Sequence, residues 1–493
     1  MDVLMPPADL TPEEWAATPP RVQTLVLALL ARQADIEATL ITIQAHQNDL
    51  RTTIATLEAR LNQNSQNSSQ PPSADPPSAP PRPAKTPRGK PKTKGAQPGH
   101  PDQQRPLVPT EDVTRVVELH PTGCPACRHP FAEDLPPIGE PRRQQVWDLP
   151  IIEPEITEYQ YFSVRCPCCA AAVMAPRPDD IPPGAFGPRV ASHIAVLHGR
   201  YRISHREIVA ICADIFHLPI SLGSVVALQQ VASEALAPAH QEVRQAVEAS
   251  THANVDETRW REGTRKPWLW TAVTVFATLF VIYASRGAKG LTAILGAAFT
   301  GRVTSDRLAT YNQIPASRRQ LCWAHLLRSL KGRGEARGPW QAAALDVLAL
   351  AEMVMAVWGR FKAGEIDRAT MRLMLQPIQQ AMWMHVERGR HTKNTFGSLC
   401  ADLTPRWKAL WAFLDHEEVE PTNNAAERAL RPAVLWRKGC FGTQSEAGSR
   451  FAERMLMVSA TCQQQQRPLL PFVTNAITAY WSGQPCPSLF PTP

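Results

Sequence analysis

The chain has 493 residues and a formal net charge of +7. That length suggests roughly three domains. With 44% hydrophobic and 20% charged residues, a largely disordered chain is excluded. The excess charge is local: without the six basic residues Arg82, Lys85, Arg88, Lys90, Lys92 and Lys94, the rest is close to neutral. Such a run points to a polyanion, nucleic acid before membrane. Eleven cysteines are an odd number, and no apolar stretch follows Met1-Asp2. Disulfides and a secretory leader are therefore not expected, and the cytoplasm is the expected location. Trp268 to Ala284 is apolar but short for a membrane span; it reads as two buried strands.

The first element is a heptad pattern. Val22, Leu29, Ile36, Ile43, Leu50 and Leu57 fall at a; Val26, Gln33, Leu40, Gln47, Ile54 and Leu61 fall at d. A coiled coil over 20–62 that pairs protomers is the expectation, against a single helix packed on its own chain. Residues 63–109 form a Pro-rich basic linker, expected to be extended and disordered. Its second half is either a solvated spacer or an arm that tracks phosphates.

Cys124-Pro-Ala-Cys127 and Cys166-Pro-Cys168-Cys169 are spaced for one structural zinc ion in a zinc-binding domain over 110–180. Cys124, Cys127, Cys166 and Cys169 are the ligands expected, with Cys168 leaving the second register open. Over 186–245 helices are expected, one capped by Ser204 and another by Ser221. The helix-turn-helix outline suits DNA binding, and plain helical packing fits it equally.

From 249 to 475 the pattern is strand-acid, hairpin, helix, strand-acid, helical insertion (about 337–418), helix-acid. Asp256 ends the first strand, Asp306 the second, and Glu427 lies in a helix that Thr422 or Asn423 can cap. The hairpin turn is placed at Ala277-Thr278 for want of any Gly, Pro or Asn. Leu345, Leu348, Met353, Val357 and Trp358, with the other methionines of the insertion, are expected in its core. The whole predicts a multidomain α+β protein with a ribonuclease-H-like α/β catalytic core and a Pro-rich tail at 476–493. Three carboxylates from separate elements suit two Mg²⁺ or Mn²⁺ ions. Glu257 should point away from Asp256, because neighbours on a strand face opposite sides.

Thr422-Asn-Asn-Ala-Ala-Glu427-Arg-Ala-Leu-Arg431-Pro, then Trp436-Arg437-Lys438 and Gly442-Thr-Gln-Ser-Glu-Ala-Gly448, resembles the C-terminal signature of insertion sequence 66 family transposases. Val255-Asp256-Glu257-Thr258 with Trp260, Ser305-Asp306 with Tyr311, and Cys322-Trp-Ala-His325 with Arg328 are similar to that family's other motifs; Gln97-Pro-Gly-His100 and the cysteine pairs also fit. The resemblance runs from the heptads to about Phe472. It implies an Asp-Asp-Glu transposase with Asp256, Asp306 and Glu427 as catalytic metal ligands. The DNA partners would be terminal inverted repeats and target DNA, and the resemblance also implies accessory proteins of the same element. His325, Arg328, Arg431, Arg437 and Lys438 are then phosphate contacts or packing residues. A DNA-binding regulator with an inactive core, or a nuclease without strand transfer, are the rival readings.

Overall fold

The computed structural model describes residues 11–61, 105–132, 135–336 and 338–490. The basic run Arg82–Lys94 and Gln97–His100 lie outside them. Helix α1 (Pro12–Ala16) is closed by a capping box between Thr11 and Glu14, and its Trp15 is buried. Helix α2 (Pro20–Leu61) follows as 42 residues, about 63 Å at 1.5 Å per residue. Its apolar heptad residues Val22, Leu29, Ile36, Leu40, Ile43 and Ile54 are all exposed. A short antiparallel hairpin, β1 (Ser163–Arg165) and β2 (Ala172–Met174), carries the second cysteine pair between its strands.

Four helices come next: α3 (Pro188–Gly199), α4 (His205–Phe216), α5 (Leu222–Ala235) and α6 (Ala237–Glu248). Ser204 caps α4 in a capping box with Glu207, and Ser221 caps α5, as their positions before apolar periodic runs predict. Between them His217 takes the left-handed conformation that ends α4.

The sheet has the order β5-β4-β3-β6-β7. Strands β3 (His252–Arg259), β4 (Trp268–Val273) and β5 (Thr278–Tyr283) are antiparallel neighbours. Helix α7 (Ala288–Leu295) then leads to β6 (Arg302–Ser305) and β7 (Arg319–Leu321), which add on parallel to β3. The apolar run 268–284 is thus a hairpin. Its turn lies at Thr274–Ala277, earlier than expected, because Thr274 replaces the missing turn residue: its hydroxyl accepts from the Ala277 N–H and donates to the Ala277 carbonyl.

The outer edge of β5 is closed by side chains. His240 of α6 bonds the Phe280 carbonyl at 3.0 Å, and Glu453 accepts the Ile282 N–H. An open edge would otherwise invite another strand.

Between β7 and the third acid run α8 (Trp323–Glu335), α9 (Gln341–Lys362), α10 (Arg368–Gly389), α11 (Thr395–Leu403) and α12 (Ala412–Asp415). They bury a cluster of their own, from Leu321 and Trp323 to Val419. The face of α9 that packs is Ala344, Val347, Ala351, Val354 and Val357. Leu345 and Met353 are therefore exposed, contrary to expectation, as is Met384. The small side chains of that stripe let α9 lie close to its neighbours and turn the larger ones outward. Alpha-helix α9 is long and apolar enough to cross a membrane by composition, yet this stripe is spent on α8 and α10.

Helices α13 (Asn424–Cys440), α14 (Glu446–Gln464) and α15 (Leu469–Trp481) complete the chain. They share one buried cluster with the sheet and with α3–α6, so the segment 186–245 has no core separate from the sheet.

Candidate functional site

The parallel register pairs His252 with Arg302 and Asn254 with Thr304. Carried two residues further, it brings Asp306, just past the end of β6, alongside Asp256, which lies within β3 and not at its end as expected, because the antiparallel pairing with β4 carries the strand on to Arg259. Glu427 arrives from the first turns of α13, which packs across β3. That approach is fixed by Asn423. Its side chain does not cap the helix as expected. It donates to the Val255 carbonyl at 2.8 Å and accepts from Asn254 at 3.1 Å, because β3 offers it partners across the gap.

The cluster is electrostatically costly. Burial, then the charge of Glu257, then those of Asp306 and Glu427 push the Asp256 carboxyl well above the usual range; the Glu257 N–H bonded to it at 2.9 Å opposes this. Glu257 itself faces the other side. Its carboxylate accepts from Arg286 at 2.9 and 2.8 Å and from the Tyr311 hydroxyl at 2.6 Å. Tyr311, read as part of a motif, thus holds the neighbour of Asp256.

Arg319 was not anticipated. Its almost wholly buried guanidinium donates to the Asp306 carbonyl at 2.7 Å and to Asn312 at 3.0 Å, and burial lowers it to about 10. No spacing rule marks it; only its place in β7 puts it beneath the second acid.

His325 lies in the first turn of α8, with Nδ1 3.6 Å from Glu427 Oε1. Burial and Arg328 hold its imidazole below the ordinary value, against the pull of Glu427. Both of those atoms are buried without a hydrogen-bond partner. Among the described residues, Cys322, His325 and Glu427 are the one set of three or more thiol, imidazole or carboxylate donors within 4.8 Å of each other. Asp256 and Asp306 are not part of that set; the two orphaned atoms, His325 Nδ1 and Glu427 Oε1, fit a divalent cation, which would satisfy both.

Next to His325 a concavity of about 410 Å³ is lined by Arg328, Ser329, Arg333 and Thr395. Arg431 and Lys438 are exposed on α13. Arg437 donates to Thr258 at 3.1 Å and to the Arg259 carbonyl at 2.6 Å, so it ties α13 to the end of β3. The Gly442-Thr443 pair does similar work. Gly442 has φ +88°, and a Cβ there would meet the Arg261 carbonyl at 2.3 Å. Thr443 then reaches the Trp260 indole N–H at 3.1 Å.

The two cysteine pairs form matching knuckles. Cys124 N–H donates to the carbonyl five residues on, and its own carbonyl accepts from Arg128; Cys166 repeats both bonds with Ala171 and Ala170. Arg128 and Ala170 both have φ near +60°. Backbone N–H groups, chiefly of Cys127 and of Cys169, hold the Cys124 and Cys166 thiols below their ordinary values. Within the second knuckle it is the Cys169 thiol that meets Cys166.

Comparison with known proteins follows these divisions. Residues 121–170 match the zinc-finger binding domain of transposase IS66, and residues 17–106 match a family of unknown function (DUF6444). An uncharacterized protein of Sinorhizobium fredii, y4qI, is 23% identical over 245 residues, covering 45% of each chain. The chain thus spans less than half the length of that relative. Residues 183–450, more than half of the chain and inclusive of Asp256, Asp306 and Glu427, match the family described as Transposase IS66 family. The chain belongs to the IS66 family of transposases.

Proposed function

We propose that the protein cuts and joins DNA by metal-assisted phosphoryl transfer, with Asp256, Asp306 and Glu427 as the cation ligands of a ribonuclease-H-like core. The observation that carries this reading is the pair of acids facing each other on the adjacent parallel course of β3 and β6, with a third acid delivered by α13. The mixed order β5-β4-β3-β6-β7 supports the fold assignment. Divalent cations at such a site polarise the phosphoryl oxygens and make water a competent nucleophile. In-line attack by water on a phosphodiester at the element end breaks the P–O bond to the 3′ oxygen, which leaves as a 3′-OH. That hydroxyl then attacks a target phosphodiester, whose own 3′ oxygen leaves.

The remaining parts fit around this chemistry. Arg328 and Arg333 line a concavity beside the acids and would take a backbone phosphate. The zinc knuckles, with one structural Zn²⁺ on Cys124, Cys127, Cys166 and Cys169, and the basic run Arg82–Lys94 would recognise and hold the terminal repeats. The helix-turn-helix outline of α4 and α5 carries less of that task. The outward residues of α5 are Leu222, Gly223, Val226, Ala227 and Glu234, with no cation among them.

The test mixes labelled duplex from the ends flanking the gene with protein, Mg²⁺ and a target plasmid. Joined product is expected from the wild type and none from Asp256→Asn, Asp306→Asn or Glu427→Gln, each of which still binds the duplex. Glu257→Gln loses stability by about 1–3 kcal/mol through Arg286 and Tyr311, yet joins DNA when folded. Joined product from Asp306→Asn would end the assignment; cutting without joining by the wild type would make the protein a nuclease.

A further inference from the structure

The first turns of α8 and α13 face each other, and the chain holds them there. Trp323 N–H donates to the Pro421 carbonyl at 2.9 Å, and Asn423 N–H to Cys322 Sγ at 3.2 Å. This clamp presents His325 Nδ1 to Glu427 Oε1 across 3.6 Å. The separation is too long for a hydrogen bond, and neither atom has another partner although both are buried. Buried polar atoms left in this way carry the full cost of lost hydration. Two donors on one ion, with bonds of about 2.1 Å at angles between tetrahedral and square, lie about 3.0–3.5 Å apart. The observed gap is close to that.

We propose that His325 is a ligand of the divalent cation held by Glu427. The inference rests on the metal-dependent reading of the three acids and adds a nitrogen donor to it. Cys322 stays outside the set: a soft sulfur is a poor donor for the hard cations of phosphoryl transfer, and by accepting the Asn423 N–H it fixes the two helix ends. An imidazole donor moves the preference of that position away from Mg²⁺, which takes oxygen, towards Mn²⁺ and the later transition metals. Arg328, in the next turn, remains available to a phosphate.

The experiment uses the full-length, zinc-loaded protein titrated with Mn²⁺. Electron spin echo modulation reads nitrogen bound directly to Mn²⁺, independently of turnover. Expected are ¹⁴N modulation in the wild type, its replacement by ¹⁵N features when histidine alone is ¹⁵N-labelled, and its loss in His325→Ala and in Glu427→Gln. Mn²⁺ affinity should fall by roughly tenfold or more in His325→Ala, the scale on which groups supporting a metal site act. Asp256→Asn should weaken Mn²⁺ binding while keeping the nitrogen signal on the ion that remains. Bound Mn²⁺ without nitrogen modulation, in protein that still joins DNA, would overturn the role of His325 and leave the three acids standing. A wild-type protein that binds no Mn²⁺ would overturn both.

Discussion

Asp256 and Glu257 are adjacent acids with opposite tasks, and alternation along β3 separates them. Asp256 feels the charges of Asp306 and Glu427; Glu257 meets a cation and a phenol. A third buried acid, Glu453, serves neither chemistry nor charge pairing alone, since it closes the edge of β5 at Ile282 with Arg450 2.9 Å away. Burial lifts its carboxyl from 4.5 to about 7, against Arg450. The folded protein therefore holds a proton on Glu453 between those values that the unfolded chain releases. Its stabilising effect is complete below about pH 4.5 and is lost as pH rises through 7. Glu453→Gln keeps an acceptor for Ile282 and removes that slope. Relative to wild type it should gain stability from pH 5 to pH 8, by roughly 3 kcal/mol at the limit, measured by urea melts at both pH values. His240, lowered to about 4 by burial, runs the other way but is common to both proteins. A flat difference across that range would show that Glu453 stays charged in the fold. The sequence singled out Asp256, Asp306 and Glu427 because each stands in a motif: Asp256 within β3, Asp306 just past β6 and Glu427 in the first turns of α13. Arg319, Asn254 and Glu453 were not legible, because their partners come from remote segments and leave no local spacing.

At the level of elements, start and stop signals served well. Ser204 and Ser221 cap helices where short polar residues precede apolar periodic runs. The β4–β5 turn was misplaced because a threonine, a strand-favouring residue, makes it by side-chain hydrogen bonds. The α9 face was misread because its packed stripe is Ala- and Val-rich, while its larger residues point outward. Repetition between the cysteine knuckles was partly legible: the spacing was visible, the shared left-handed residue was not, since neither Arg128 nor Ala170 is glycine. That repetition supports Cys169 as the partner of Cys166. Cys169→Ser should lose the zinc found by elemental analysis and unfold the knuckle, since binding energy here is folding energy. Cys168→Ser should keep one zinc per chain. The reverse result would shift the second pair to Cys166 and Cys168.

At the scale of the molecule, α2 shows Val22, Leu29, Ile36, Leu40, Ile43 and Ile54 to solvent. A helix of this length with an apolar seam, interrupted at d by Gln33 and Gln47, gains most by pairing with a copy. Full-length protein should therefore scatter light as a dimer or larger. Ile36→Lys with Ile43→Lys should reduce it to a monomer without changing the zinc content. A monomeric wild type would remove the account of protomer pairing.

The clamp at Cys322 and Asn423 joins residues 101 apart in sequence. Everything between leaves the sheet and returns to the same spot, with its own buried cluster. The excursion is also tied down on its way back: Asp402 pairs with Arg307, next to Asp306, and Leu410 and Phe413 bond Gln320 of β7. Helices α9 and α10 pack on other helices, so a change in their length or surface would leave the three acids where they stand. The outer part of the region can change over evolution as a cassette, while the returning segment and the bonds at its mouth cannot.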